Sequence, residues 1–221
     1  MIDALPQERI EHVFTHTSWA PDRASSYERM EFLGDSVLEL AIAKELYDRY
    51  PEASEGRLAK IRSHVVSRQS CAAVARELRL GERLGEAAGD ALAGDELSRI
   101  VKSRNVTAAL LEAAIAALFL EHGYQPIEPA IVAAFSDRIE YARTTHVDHK
   151  TELQEALAKS GRSVAYVVLN VEGPAHDRHF SCAAQIDGDE LGQGTGRTKK
   201  EAEQAAAKQA LAALGAAQPD R

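Results

Sequence analysis

Glu28, Glu31, Asp35 and Glu39 recur three and four residues apart in Glu28-Arg29-Met30-Glu31-Phe32-Leu33-Gly34-Asp35-Ser36-Val37-Leu38-Glu39-Leu40. At that spacing the carboxylates line one face of a helix, where like charges repel unless a cation or solvent lies between them. Carboxylate oxygens suit hard divalent cations such as magnesium; the alternative is a solvated acidic face on an amphipathic helix. Another carboxylate, Glu112, stands in Leu110-Leu111-Glu112-Ala113-Ala114-Ile115, and a glutamate among alanine and leucine needs a partner or a cation. A basic feature lies near the other end. Thr198 can cap a helix whose first turn carries Lys199 and Lys200, with Glu201 in capping-box position. Lysines there oppose the helix macrodipole but add charge to a terminus that attracts anions, so a phosphate partner explains them better than stability does. A simply solvated basic turn is the alternative.

These side chains need elements to carry them, and the first two-thirds of the chain reads as helices. Pro6 to His16 has Ile10, Val13 and Phe14 inward, and a polar loop, Ser18 to Ser26, precedes the acidic helix, which Pro51 stops after Tyr50. Apolar positions at helical spacing predict one helix over Leu58 to Leu80, ended by Gly81, and a second over Leu97 to Leu120, ended by Gly123. Gly81 to Gly94 reads as a loop or short broken helix, and Pro126 to Arg143 as a final helix. A glycine inside the acidic helix, Gly34, costs up to about 1 kcal/mol relative to alanine, and the simplest offset is close approach by another helix.

Beyond Tyr141 the pattern changes. Asp148 to Ser160 is helical, Ser163 to Val171, Phe180 to Ile186 and Leu191 to Thr195 read as strands, and Arg197 to Leu214 is an alanine-rich helix. Asp187-Gly188-Asp189 marks a hairpin. The fold class is thus an all-α N-terminal domain, residues 1–143, followed by a small α+β domain of order α-β-β-β-α, residues 148–216, with a short hinge between them.

Composition bounds the rest. The chain has 221 residues, 45% hydrophobic and 27% charged, which is ordinary for a soluble globular protein. No apolar run is read as a membrane span, and Met1-Ile2-Asp3-Ala4-Leu5-Pro6 lacks the regions of a signal peptide. Cys71 and Cys182 have no metal-type spacing and read as buried fillers in a reducing compartment, so a cytoplasmic protein without a membrane partner is expected. The net charge of −8 opposes a nucleic-acid partner only if the basic residues are dispersed, and Lys199 and Lys200 are not.

Glu28 to Leu40 closely resembles the signature helix of the ribonuclease III family, endonucleases that cut double-stranded RNA. Thr15-His16-Thr17-Ser18-Trp19 and Glu55-Gly56-Arg57-Leu58-Ala59-Lys60-Ile61-Arg62 resemble flanking family segments, while Tyr27 stands where many members carry asparagine. The resemblance implies that Glu31, Asp35 and Glu112 are metal ligands for Mg2+, with Mn2+ able to substitute, and that Asp35 and Glu112 are catalytic. It implies a second helix, Val106 to Leu120, packed on the first. It also implies a homodimer whose apolar surface includes Phe32, Leu33 and Met30, products with 5′-phosphate and 3′-hydroxyl ends, and a role in processing ribosomal-RNA precursors and structured messengers. The histidines, including His16 and His64, need no catalytic role.

One departure stands out. Ala109 occupies the place, three residues before Glu112, where the family carries an aspartate, and Asn105 lies a turn earlier on the same face. A natural variant with fewer ligands, a double-stranded-RNA-binding regulator with an impaired nuclease centre, and an engineered substitution all fit; survival of Glu31, Asp35 and Glu112 favours retained activity. The tail, Asp148 to about Leu214, resembles a double-stranded-RNA-binding domain on Asp148 to Glu155, Gly173 to Phe180 and Gly194 to Glu203. By that resemblance Thr151, Gln154, Glu155 and His176 serve minor grooves and Lys199 and Lys200 hold phosphates, reading A-form shape more than sequence.

Overall fold

A computed structural model describes residues 1–145, 148–158, 160–174 and 177–216. It divides into two compact units, Met1–His146 and Val147–Arg221. The first is helical: α1 Gln7–Val13, α2 Glu28–Arg49, α3 Glu55–Val65, α4 Arg68–Glu77, α5 Leu80–Ala88, α6 Gly94–Lys102, α7 Arg104–His122 and α8 Tyr124–Thr145. The second runs α9 His149–Ala158, β1 Val164–Glu172, β2 His179–Ile186, β3 Asp189–Gly196 and α10 Lys199–Ala216.

The helical unit is organised around α7, which buries an unbroken run from Thr107 to Leu118. By length and composition α7 also passes for a membrane span, contrary to the expectation that no run would, but 67% of its apolar window is buried within the protein. Against it lies α2. A Cβ added to Gly34 would stand 1.7 Å from the carbonyl oxygen of Glu112, so the two backbones touch where only glycine fits. Here is the close approach that the helix-interior glycine required. It sets the turn of α2 that carries residues 31 and 35 beside residue 112 of α7.

Two long helices expected from periodicity are each broken. The run from Leu58 divides at Val66–Ser67, because the Ser67 hydroxyl accepts a hydrogen bond from the Ser70 N–H and starts α4. The run from Leu97 divides at Ser103, whose side chain accepts from the Val106 N–H. Serine at a helix start satisfies backbone donors that would otherwise go unpaired. Both breaks keep the apolar period nearly in phase, which hides them from a pattern of hydrophobic spacing. Gly81, expected as a stop, lies inside α5, where an added Cβ would meet the Val101 carbonyl at 2.6 Å.

In the second unit the described strands form an antiparallel sheet of order β1-β2-β3. The β2–β3 turn places Asp187 and Gly188 at positive φ, 56° and 94°, as a tight hairpin requires. Leu153 and Leu157 of α9 pack with Ala184, Ile186, Ala206, Ala207 and Ala210. Cβ atoms on Gly192 and Gly194 would lie 2.5 Å and 2.2 Å from backbone nitrogens of Ala210 and Ala206, so β3 and α10 interlock without side chains between them. That interlock fixes where α10 begins.

Gly34→Ala is expected to destabilise the protein by at least about 3 kcal/mol, the upper range for overpacking, because two backbones must separate. Gly56→Ala, in α3 with nothing within 4 Å of the new methyl, should be neutral or stabilising by up to about 1 kcal/mol. Denaturant unfolding of both variants checks the pair.

Candidate functional site

Glu112 is a charged-type side chain only 3% exposed, on a helix otherwise lined with alanine, leucine and isoleucine. Burial first, then the nearby Asp35 and Glu31 charges, push its pKa up to about 7, while Arg68 opposes the rise. Glu31 is half-buried and accepts a hydrogen bond from Arg68 Nη2 at 2.8 Å. The same guanidinium reaches Glu112, with Nη1 to Oε2 at 3.8 Å. Asp35 is exposed, one turn beyond Glu31, and acts electrostatically on both Arg68 and Glu112. Glu31 and Glu112 are therefore brought to a single arginine, with Asp35 close enough to act electrostatically on both Arg68 and Glu112.

Two further groups register the field of these carboxylates. The buried Cys71 thiol is pushed up to about 12, by burial and then by Glu112 and Asp35. Tyr27, 5% exposed, has its phenol raised by burial and then by Glu31 and Glu28. Tyr27 also ties the segment from Thr15 to the start of α2: its N–H donates to the Thr15 carbonyl at 3.0 Å and its ring meets His16 edge-on at 5.8 Å. His16 lies against Trp19 as well, and burial lowers its pKa. Glu28 turns away to pair with Arg23 at 3.3 Å, and Glu39 is exposed, so the four-carboxylate stripe divides into two residues at the site and two outside it. Ala109 is 4% exposed, and Asn105 is at the surface.

The donor set is all oxygen, which suits magnesium or manganese. Among the described residues no three acidic, histidine or cysteine side chains already stand in a metal-holding arrangement. The Arg68 guanidinium, half-exposed on a long side chain, lies between Glu31 and Glu112. By donor chemistry the residues fit a hard cation, and Arg68 now occupies oxygens of two of them, Glu31 and Glu112. Sequence reasoning missed Arg68 by running a helix through it. Its signal was position: Arg68 is the first residue of α4 after the Ser67 cap, where positive charge opposes the helix dipole.

In the second unit Thr151, Gln154 and Glu155 share one face of α9, with Gln154 and Glu155 exposed. The expected capping box is present: Thr198 Oγ1 accepts from the Glu201 N–H at 3.1 Å, and Glu201 Oε2 accepts from the N–H of Thr198 at 3.3 Å and of Arg197 at 2.9 Å. Lys199 and Lys200 are exposed on the first turn of α10. Asp148 accepts from Gln204 Nε2 at 2.8 Å, and Lys150 pairs with Glu203 while lying 4.6 Å over the Tyr166 ring. These interactions tie the start of α9 to α10 and set the spacing between the polar face and the lysines. His176 lies outside the described residues.

Residues 6–138 match the Ribonuclease-III-like family and residues 149–214 the double-stranded RNA binding motif. The chain is 42% identical to Ribonuclease 3 of Symbiobacterium thermophilum, covering 89% of this chain and 83% of that one. It is 37% identical to Ribonuclease 3 of Streptococcus thermophilus, covering 95% and 92%. Among solved structures it is similar to the nuclease domain of ribonuclease III from Campylobacter jejuni, at 26% identity and a TM-score of 0.52, over 62% of this chain and 92% of that one. These likenesses, with the helical body and the α-β-β-β-α tail, define an endoribonuclease that acts on double-stranded RNA. The chain belongs to the ribonuclease III family.

A buried carboxylate with a raised pKa has a pH signature in the metal-free protein. The ordinary glutamate value is 4.5 and that of folded Glu112 about 7, so this residue's contribution to native stability falls as pH rises between those values and is level above. The shift corresponds to roughly 3 kcal/mol. Glu112→Gln is expected to flatten that slope, as read by urea unfolding in EDTA from about pH 4.5 to about pH 8.

Proposed function

We propose that the chain hydrolyses phosphodiester bonds of double-stranded RNA in a magnesium-dependent reaction, with manganese able to substitute, leaving 5′-phosphate and 3′-hydroxyl ends. The observation that carries this reading is that Arg68 spans Glu31 of α2 and Glu112 of α7, with Asp35 within electrostatic reach of both Arg68 and Glu112. Glu31, Asp35 and Glu112 would hold the metal, and Asp35 and Glu112 would be the catalytic pair. When bound, magnesium supplies Lewis-acid stabilisation of the phosphate oxygens and lowers the pKa of an attacking water. The chain's own contribution is placement. The Gly34–Glu112 approach sets the distance between the carboxylates of α2 and that of α7, and burial of Glu112 keeps a carboxylate of raised basicity beside them.

Residues 1–143 serve as the catalytic and dimerisation domain and residues 148–216 as the RNA-binding domain. Phe32 is 79% exposed and lines, with Met30, Leu33 and Leu120, a groove rimmed by Arg9, Arg23, Glu28 and Arg29, a surface of apolar floor and charged rim suited to a two-fold partner. The Campylobacter jejuni structure likewise concerns a region involved in dimer formation, which supports a homodimer here. Met30, expected on that surface, lines the floor of the same groove with 6% of its surface exposed and the rest of the side chain in the core. Thr151, Gln154 and Glu155 face a minor groove, as His176 would, and Lys199 and Lys200 take phosphates. The setting is cytoplasmic processing of ribosomal-RNA precursors and structured messengers.

Purified protein with a long duplex and magnesium is expected to yield short duplexes. Asp35→Asn and Glu112→Gln should each lower the cleavage rate at least about a hundredfold while leaving duplex binding intact. Duplex binding without cleavage would instead establish a double-stranded-RNA-binding regulator with an impaired nuclease centre, the reading that Ala109 favours; a large gain on Ala109→Asp would locate the impairment. Lys199→Ala with Lys200→Ala should weaken binding alike for unrelated duplex sequences. It should also reduce the salt dependence by about one unit of slope for each phosphate no longer held.

A further inference from the structure

Arg68 has two peculiarities that share one explanation. It occupies the first position of α4, where its charge opposes the helix dipole, although Ser67 already caps that terminus. It also spans carboxylates from two other helices, 2.8 Å from Glu31 and 3.8 Å from Glu112, with Asp35 adding to the field on it. Glu112 is 4% exposed at its side chain and has no other ion-pair partner among the described residues. A buried carboxylate left unpaired is costly, so the guanidinium accounts for its tolerance in the metal-free fold. Arg68 itself is 52% exposed at its side chain, which leaves it free to swing outward about an anchored backbone.

We infer that Arg68 is a built-in counter-cation of the acidic centre, holding Glu31 and Glu112 together without metal and competing with the divalent ion for the same oxygens. This rests on the reading of Glu31, Asp35 and Glu112 as the metal site. A monovalent guanidinium bridging two ligands must be displaced, or share its oxygens, when a divalent ion enters. Its positive charge also repels that ion at a few ångströms. Ala109 sharpens the effect. With alanine at 109 the centre has no fourth carboxylate to hold the ion while Arg68 occupies oxygens of Glu31 and Glu112. Arg68 is thus a positioning residue that sets metal affinity.

The test is manganese binding to the full chain without RNA, followed by electron paramagnetic resonance at low salt, with thermal melting in EDTA alongside. Arg68→Ala is expected to bind manganese about three- to tenfold tighter, since a repulsive neighbour and a competitor are both removed; the gain should shrink as salt rises. Its metal-free melting temperature should fall, because the carboxylates lose their counter-charge. Arg68→Lys keeps the charge and should bind within about twofold of the parent. A merely structural Arg68 would lower stability and weaken metal binding together. Unchanged or weaker manganese binding by Arg68→Ala overturns the inference while leaving the metal site standing. Absence of manganese binding by the parent and by Arg68→Ala alike overturns the metal site itself, and this inference with it.

Discussion

The close approach of Gly34 to the Glu112 backbone is the constraint from which the rest of the helical unit follows. No side chain fits between α2 and α7 at that point. Helix axes separated by ordinary core side chains sit about 8–10 Å apart, and a glycine at the crossing allows closer approach. Glu31 lies one turn before Gly34 and Asp35 directly after it, so a helix touching Gly34 passes beside the turn that carries both carboxylates, with Asp35 at its exposed edge. That the touching residue is itself a glutamate makes the crossing a chemical site as well as a packing one.

Negative charge concentrated by packing requires an answer, and the chain gives one through α4. Ser67 starts that helix and so aims its first residue, Arg68, at the junction of α2 and α7. Burial raises Glu112 and Cys71 together, and both feel Asp35, which shows how far the acidic field reaches into the core. The second unit solves the opposite problem. Its lysines are few, and the β3–α10 interlock together with the Asp148–Gln204 bond holds them at a fixed helix start. A net charge of −8 is then no obstacle to binding RNA, because Lys199 and Lys200 are gathered at one exposed helix start rather than dispersed.

Much of this is legible in the residues. Gly34 inside an acidic helix announces a close helix crossing, and an apolar run carrying Glu112 announces a buried carboxylate. Thr198 and Glu201 announce a capped helix start, which the hydrogen bonds reproduce. The breaks at Ser67 and Ser103 escape because the hydrophobic period continues almost unshifted through them, and only the serine hydroxyls mark the new starts. Arg68 escapes for a related reason: its partners lie 37 residues earlier, in α2, and far along the chain in α7, so no local spacing connects them. Met30 and Phe32 line one groove, as their neighbourhood in the sequence suggests, but residues two apart on a helix face different ways, so Phe32 stands out from it while Met30 forms its buried floor.

The most direct test of the central claim is a crystal of the protein grown with manganese and measured at an anomalous edge. Convergence of α2 and α7 predicts one strong peak coordinated by Asp35 or Glu31 from the first helix and Glu112 from the second, at about 2.1 Å, the bond length for a small hard cation. A peak bound by one helix alone, or placed away from the Gly34–Glu112 crossing, would contradict it.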